Sequence, residues 1–307
     1  MAADEFMGCL LTGFGIPIVL VLFTIITHPL RIITLIISAS FWLVSFLISS
    51  ILWYAVVPLR DKVAFGLVFS VFFQEIVRLL FIYCLHKIDR GIKLIILDFK
   101  SAESSIDRSL ISNADFATTS AIVIQNRLDD GNNDGNKPLI SNEKLTDDVF
   151  NVTMFAYVGG LGFGLMSGLF ATVNMLAALN GPGTLGYFGQ SANFINLYAG
   201  QTLLVILFHV AFNVIMSKAY YMKSYVKISA VVLIHMIYSC LTLANESPSP
   251  ASEIVLGINC CFCALSCCWA FKEAGGSFSR IPWCIRLNFV RFNRFLKQKL
   301  RPVRSME

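Results

Sequence analysis

Residues 157–168 read Tyr-Val-Gly-Gly-Leu-Gly-Phe-Gly-Leu-Met-Ser-Gly, inside a long apolar stretch. On an α-helix this spacing places Gly160, Gly164 and Gly168 on one stripe, because each four-residue step advances about 6 Å along nearly the same face. Small residues on one face of a membrane helix allow another helix to approach closely. The stretch therefore predicts an all-α membrane protein and, on this span, a packing surface for a partner helix used in assembly.

The composition agrees with a membrane protein. Of the 307 residues, 56% are hydrophobic and only 14% are charged, and the mean hydropathy is +0.70. A soluble domain carries about 25% charged residues. The net charge of +5 comes from Lys and Arg gathered in a few stretches, which is typical of membrane orientation and not of a nucleic-acid surface.

Seven apolar stretches approach the length of about 20 residues that a hydrocarbon core of about 30 Å requires. We therefore predict a polytopic protein with seven transmembrane helices. The predicted spans are roughly 6–27, 32–56, 63–86, 150–179, 191–216, 228–245 and 252–271.

The basic residues predict the orientation of these spans. If the N-terminus is extracytoplasmic, 21 of the 24 Lys and Arg residues fall on the cytosolic side. Only Arg60 and Lys62 lie outside, and Arg78 lies within a span. Because cytosolic loops carry the excess of basic residues, we expect an extracytoplasmic N-terminus and a cytosolic C-terminus.

Two polar regions interrupt the apolar pattern. Residues 98–149 contain a tract rich in Gly, Asn and Asp, which predicts a flexible cytosolic loop. Residues 272–307 form a basic cytosolic tail that also carries aromatic side chains. This tail either lies along an anionic leaflet or is a disordered basic segment, and the sequence leaves both interpretations open.

Four ionisable side chains lie well inside the predicted spans, away from their ends, where such groups are costly and need partners. Glu75 and Arg78 are three residues apart in span three, so they can neutralise each other on one helix. Alternatively, one of them reaches a polar group on another span or subunit. His209 and His235 lie in spans five and six, where they either pack with hydrogen bonds, line a polar cavity or, less favourably, bind a metal.

No catalytic pattern stands out. The predicted spans contain no Asp, so a paired-aspartate intramembrane protease has no candidates here. Cys260, Cys263 and Cys267 share one helix face in apolar surroundings and are interpreted as packing residues. We therefore predict neither a catalytic residue, nor a bound metal, nor a cofactor. By the predicted orientation the sequon at Asn151 is on the cytosolic side, and the sequon at Asn245 falls in a very short outer loop.

An ordered set of motifs over residues 6–277 resembles the anterior-pharynx-defective family, which supplies the multi-spanning scaffold subunit of gamma-secretase. The motifs are Phe6-Met-Gly8-Cys, Phe14-Gly, His28-Pro-Leu-Arg31, Phe41-Trp-Leu-Val-Ser45, Gln74-Glu75 with Arg78, the run from Ala156 to Gly168, Asn174, Gly181-Pro-Gly183, His209, His235, Trp269-Ala-Phe and Gly275-Gly-Ser277. Single small-residue motifs are common, but this ordered series is specific.

The resemblance implies an essential non-catalytic scaffold that binds presenilin and nicastrin, with the presenilin enhancer subunit completing the complex. It assigns Gly160, Gly164 and Gly168 to assembly, and His209 and His235 to a polar interior that affects maturation or activity. The resemblance also implies a role in intramembrane proteolysis and Notch signalling. It implies residence in the endoplasmic reticulum, Golgi, endosomal and plasma membranes.

Two alternatives follow from the topology alone. A seven-span receptor shares the predicted orientation, but the chain has Tyr83-Cys-Leu-His-Lys where a receptor motif would end span three. A small-solute transporter would use broken helices and midplane ligands, and no inverted repeat is evident in the sequence.

Overall fold

The computed structural model describes residues 2–59, 62–113, 151–179, 194–246 and 251–277. These residues form seven α-helices: α1 (Ala2–Thr24), α2 (Pro29–Ala55), α3 (Val63–Asn113), α4 (Val152–Leu179), α5 (Phe194–Tyr221), α6 (Tyr225–Leu241) and α7 (Ala251–Glu273). Short 3-10 turns at Val57–Leu59 and Thr242–Glu246 follow α2 and α6. All seven helices are long and apolar enough to cross a membrane. The predicted all-α, seven-span architecture is therefore confirmed, while the orientation of the termini stays a prediction.

The tight connections follow from local chemistry. Pro29 occupies the first position of α2, where its missing N–H has no partner to lose. The Arg31 guanidinium donates a hydrogen bond to the Thr24 carbonyl at the end of α1, at 2.7 Å. The α5–α6 connection has only three residues and places Lys223 at a positive φ of 53°. After α7, Gly275 adopts a φ of +87° while Gly276 N–H bonds back to Phe271, as in a helix-ending glycine motif.

Helix α3 is much longer than the predicted third span. Its 51 residues correspond to about 75 Å, more than twice the hydrocarbon thickness, and its apolar part covers Ala64–Ile95. The helix continues to Asn113, although a flexible loop was expected from residue 98. Residues 98–113 contain neither Gly nor Pro, so nothing in the local sequence interrupts the helix. The remainder of that loop, the Gly181-Pro-Gly183 motif and residues 278–307 of the tail lie outside the described residues.

Helix α5 is the centre of the bundle. It contacts α1, α3, α4, α6 and α7, and its side chains Ile206, Phe208, Phe212 and Ile215 are fully or almost fully buried. Much of the outer surface of the other helices is apolar and exposed, as expected for side chains that face lipid. The polar side chains of the spans therefore meet inside, around α5.

Candidate functional site

The charged residues of α3 form an ion pair in the interior of the bundle. The Nη1 atom of Arg78 lies 3.0 Å from Oε1 of Glu75, and the two side chains are 0% and 2% exposed. The predicted pairing along one helix therefore forms. It is not self-contained, however, because the same two groups also contact other spans.

Both histidines reach this pair from neighbouring helices. Nη2 of Arg78 lies 2.5 Å from Nδ1 of His209 on α5, and Nδ1 of His235 on α6 lies 2.5 Å from Oε1 of Glu75. Because a guanidinium has only donors, His209 Nδ1 accepts, so this nitrogen carries no proton. Because a carboxylate only accepts, His235 donates from Nδ1. The structure thus joins all four predicted residues into one cluster across three helices.

Aromatic rings surround the charged cluster. The guanidinium carbon of Arg78 lies 5.6 Å from the ring centre of Phe163 and 5.8 Å from that of Phe212, distances at which a cation is attracted to a ring. The imidazoles of His209 and His235 meet edge-on with centroids 5.3 Å apart. Within the described ranges, no group of three or more His, Cys, Asp or Glu side chains is arranged to hold a metal ion. The geometry is that of an enclosed polar link between helices.

The glycine stripe packs against α5 of the same chain. A Cβ atom added to Gly160 would lie 2.6 Å from the Cα of Val210, and one added to Gly164 would lie 2.7 Å from the Ile206 carbonyl oxygen. At Gly168 the nearest atoms belong to Ile206 and Thr202. The stripe therefore permits backbone contact between two helices, as its spacing predicts.

The helix that packs on the glycine stripe belongs to the same chain. In the described structure α5 occupies this face of span four, so the contact seen is intramolecular, and the role of the stripe in assembly with a partner subunit stays a prediction. Thr202, Ile206 and Val210 repeat every four residues and run antiparallel to the glycines. Consecutive helices are usually neighbours in space, and α5 is the next helix in the chain, so an intramolecular fit is the simpler outcome.

A second polar network links α5, α6 and α7 and was not predicted from the sequence. Gln201 Nε2 donates to the Tyr238 hydroxyl at 2.8 Å, and Asn259 Nδ2 donates to Gln201 Oε1 at 3.3 Å. Asn213, which lies one turn from His209 on α5, donates to the Ala156 carbonyl of α4 at 2.6 Å. Isolated amides within apolar runs were the available signal, because a buried amide needs a partner.

Two further interpretations change. The predicted span three, residues 63–86, contains no Asp, but the apolar part of α3 extends to Ile95 and includes Asp89. One aspartate is still not a catalytic pair. Of the clustered cysteines, Cys263 is buried with Sγ 3.8 Å from the Leu204 carbonyl oxygen, whereas Cys260 and Cys267 are exposed. The packing interpretation therefore holds for Cys263 alone.

Known proteins are similar in sequence to this chain over most of its length. The family described as Aph-1 protein matches residues 4–277. The chain is 36% identical over 287 residues to gamma-secretase subunit Aph-1 of Drosophila melanogaster, which covers 92% of this chain and 100% of the relative. It is 31% identical over 308 residues to gamma-secretase subunit APH-1B of Homo sapiens, with 96% and 99% covered. It is 25% identical over 258 residues to gamma-secretase subunit aph-1 of Caenorhabditis elegans, with 78% and 71% covered.

The matched region includes both the glycine stripe and all four residues of the charged cluster. With seven apolar helices and a family match of this extent, the chain belongs to the Aph-1 family.

Proposed function

We propose that this chain is a non-catalytic scaffold subunit of the gamma-secretase intramembrane aspartyl protease complex. In this role it stabilises presenilin and nicastrin by helix packing in the membrane, and the presenilin enhancer subunit completes the assembly. The complex resides in the membranes of the endoplasmic reticulum, Golgi, endosomes and cell surface. The observation that carries the proposal is the family match over residues 4–277, together with relatives named as gamma-secretase subunits.

The buried interior supports a scaffold more than an enzyme. In the described spans Asp89 is the single aspartate, so the paired carboxylates of an aspartyl protease would have to come from another subunit. Glu75, the other buried acid among the described side chains of α3, is held by Arg78 and His235. Its role in this proposal is to fix the positions of three helices.

In this proposal the glycine stripe does not contact a partner subunit and acts on assembly only through the packing of α4 on α5. Close packing of α4 on α5 sets the positions of the surrounding helices, because α5 contacts five other helices of the described structure. The outer faces of those helices then present apolar side chains at fixed positions to partner subunits. A bulky group at Gly164 would separate α4 from α5 and distort the outer surface without touching a partner.

The test compares two glycine-to-leucine variants in cells that express the other three subunits. Gly164→Leu introduces a side chain where Ile206 backbone atoms leave no room, whereas Gly257→Leu projects into open space with nothing within 4 Å. We expect affinity capture in mild detergent to recover roughly tenfold less presenilin and nicastrin with Gly164→Leu. Gly257→Leu should recover the wild-type amount.

Two results would contradict the proposal. One is a wild-type chain that captures none of the three subunits while remaining folded and inserted. The other is full recovery of presenilin and nicastrin with Gly164→Leu, which would separate assembly from α4–α5 packing. Size-exclusion profiles of each variant, measured alone, show whether the chain itself has collapsed.

A further inference from the structure

A polar cleft of about 360 Å³ lies at the end of the bundle where α4 begins and α5 and α7 end. The side chains that matter here are His86, Asp89 and Lys93 of α3, Ser217 and Lys218 of α5, and Glu273 of α7. None of them belongs to the charged cluster around Arg78. The predicted orientation places this end of the bundle at the cytosolic face.

Asp89 offers the cleft an unused hydrogen-bond acceptor. The residue is 7% exposed, and its Oδ2 atom lies 3.2 Å from the ammonium of Lys93. Its Oδ1 atom is buried and has no hydrogen-bond partner in the part of the chain that the structure describes. A buried carboxylate oxygen without a donor is costly, so this oxygen favours a ligand that carries N–H or O–H groups.

The opposite side of the cleft offers positive charge and a free hydroxyl proton. Lys218 lies over the ring of Tyr221 at 5.7 Å and forms no ion pair with a described residue. His86 Nε2 lies 3.2 Å from both the carbonyl oxygen and Oγ of Ser217. Since a carbonyl only accepts, His86 donates from Nε2, which leaves the Ser217 hydroxyl proton available to an anion.

Glu273 interacts with the ammonium groups of both Lys227 and Lys218, so one positive charge remains on this side of the cleft. Its Oε1 atom already binds the ammonium of Lys227 and accepts from the indole N–H of Trp269 at 3.1 Å. The cleft therefore presents one acceptor for an ammonium and one cationic group for an anion. That pattern complements a zwitterion.

An apolar groove continues from the cleft along α5. Its volume is about 480 Å³, and Asn151, Thr153 and Val214 line both cavities. From Val214 the groove extends along α5 to Leu207, a distance of about 10 Å at 1.5 Å per residue. A polar end joined to an apolar channel is the shape of a site for an amphiphile whose head and chain bind in the two parts.

We propose that the cleft and groove together bind one phospholipid with an ethanolamine headgroup. The primary ammonium donates to Asp89 Oδ1, the phosphate accepts from Lys218 and the Ser217 hydroxyl, and an acyl chain occupies the groove. A choline headgroup lacks an N–H donor and leaves Asp89 Oδ1 unsatisfied. Discrimination between the two headgroups is therefore the signature of this site.

The experiment measures which lipids stay bound to the full chain. The protein is reconstituted in nanodiscs with equal amounts of phosphatidylethanolamine and phosphatidylcholine, released, and examined by native mass spectrometry. We expect wild type to retain the ethanolamine lipid about tenfold over the choline lipid. Asp89→Asn should lose this preference. Glu253→Gln, which alters an exposed acid in the first turn of α7, should keep it.

A second pair of variants tests the groove. Ala274 directly follows α7, lines the groove and is exposed, whereas Ala264 is exposed on α7 and lines neither cavity. Ala274→Trp should reduce retention of both lipids severalfold, and Ala264→Trp should not. Lys93→Gln removes the ion pair but keeps Asp89 Oδ1, so it should preserve the preference and separate a structural effect from a ligand effect.

Several outcomes would overturn the proposal. If Asp89→Asn still prefers the ethanolamine lipid, the Asp89 carboxylate does not recognise the headgroup. If Ala274→Trp retains as much lipid as wild type, or if soluble phosphoethanolamine displaces the lipid, the groove does not bind the acyl chain. A photoreactive residue at position 274 that cross-links to protein instead of lipid would assign the groove to a partner subunit or to another part of this chain.

Discussion

Nη2 of Arg78 lies 2.5 Å from Nδ1 of His209, and this contact joins α3 to α5 across 131 residues of sequence. The arginine is 0% exposed, so its charge is stabilised by Glu75, by His209 and by two aromatic rings instead of water. Such a group is tolerable only while its partners remain in place. Separating α3 from α5 would leave the buried Arg78 charge without a partner, and the free energy of that loss holds the helices together.

The first prediction concerns the Glu75–Arg78 pair. Glu75→Leu or Arg78→Leu alone should lower the free energy of unfolding by about 3–5 kcal/mol, because each leaves an uncompensated buried charge. The double variant should be less destabilised than the sum of the two, because no lone charge remains. Reversible unfolding in detergent micelles, followed by circular dichroism, measures all three values in one double-mutant cycle.

Glu253→Gln serves as the matched control for removal of an acid from an exposed helix position. We expect it to stay within about 0.5 kcal/mol of wild type. Strict additivity of the two leucine substitutions would show that Glu75 and Arg78 do not stabilise each other.

The second prediction concerns the contact between α4 and α5. Gly164→Ala adds a methyl group 2.7 Å from the Ile206 carbonyl oxygen, so the helices must move apart. Overpacking of this kind costs about 1–3 kcal/mol, which outweighs the gain in helix propensity of about 1 kcal/mol. The free energy of unfolding should therefore fall.

Gly200→Ala is the control on the neighbouring helix. Its methyl group would lie 3.7 Å from Leu256 side-chain atoms, an ordinary contact distance, so this variant should be neutral or slightly stabilising. If both alanine variants change stability equally, tight packing is not the reason for glycine at position 164.

The third prediction concerns the network of Gln201, Tyr238 and Asn259. Tyr238→Phe removes the acceptor for the Gln201 amide at a position that is 3% exposed. We expect a loss of about 0.6 kcal/mol, the average for hydrogen bonds between membrane helices. Tyr225→Phe, at a side chain that is 77% exposed, should change the unfolding midpoint by much less. Equal shifts would place the Tyr238 hydroxyl outside the network.

The sequence predicts this fold well because hydrophobic length is a direct signal in a membrane protein. Seven apolar stretches become seven helices, and Pro29 marks the start of α2 where the chain turns. The end of α3 was not predicted, because hydrophobic length indicates where the apolar residues end and a helix can continue beyond them. Residues 98–113 remain helical, and no breaker in the sequence marked their start.

The four residues of the charged cluster were predicted from the sequence, but the contacts between them were not. The cost of buried charge identifies Glu75, Arg78, His209 and His235 from the sequence alone. Which histidine meets which charge depends on the arrangement of α3, α5 and α6 around one another, and helical periodicity does not determine that. The same limit explains the glycine stripe: spacing predicts a close neighbour but does not say which helix supplies it.

The fourth prediction concerns Asn151, which has two incompatible interpretations. Its Oδ1 atom accepts a hydrogen bond from the backbone N–H of Met154 at 3.1 Å, so it caps α4. It is also the acceptor residue of the sequon Asn151-Val-Thr153. If it acts as a cap on the cytosolic side, Asn151→Ala should cost about 1 kcal/mol of stability and should not alter electrophoretic mobility.

Thr153→Ala provides the matched control because it destroys the sequon and leaves the cap intact. It should match the wild type in mobility and should retain the hydrogen bond from Met154 to Asn151. A shift in mobility for both variants after expression in microsomes would mean that Asn151 carries a glycan. Since glycans are added on the lumenal side of the membrane, that result would reverse the predicted orientation. The polar cleft beside Asn151 would then lie at the extracytoplasmic face.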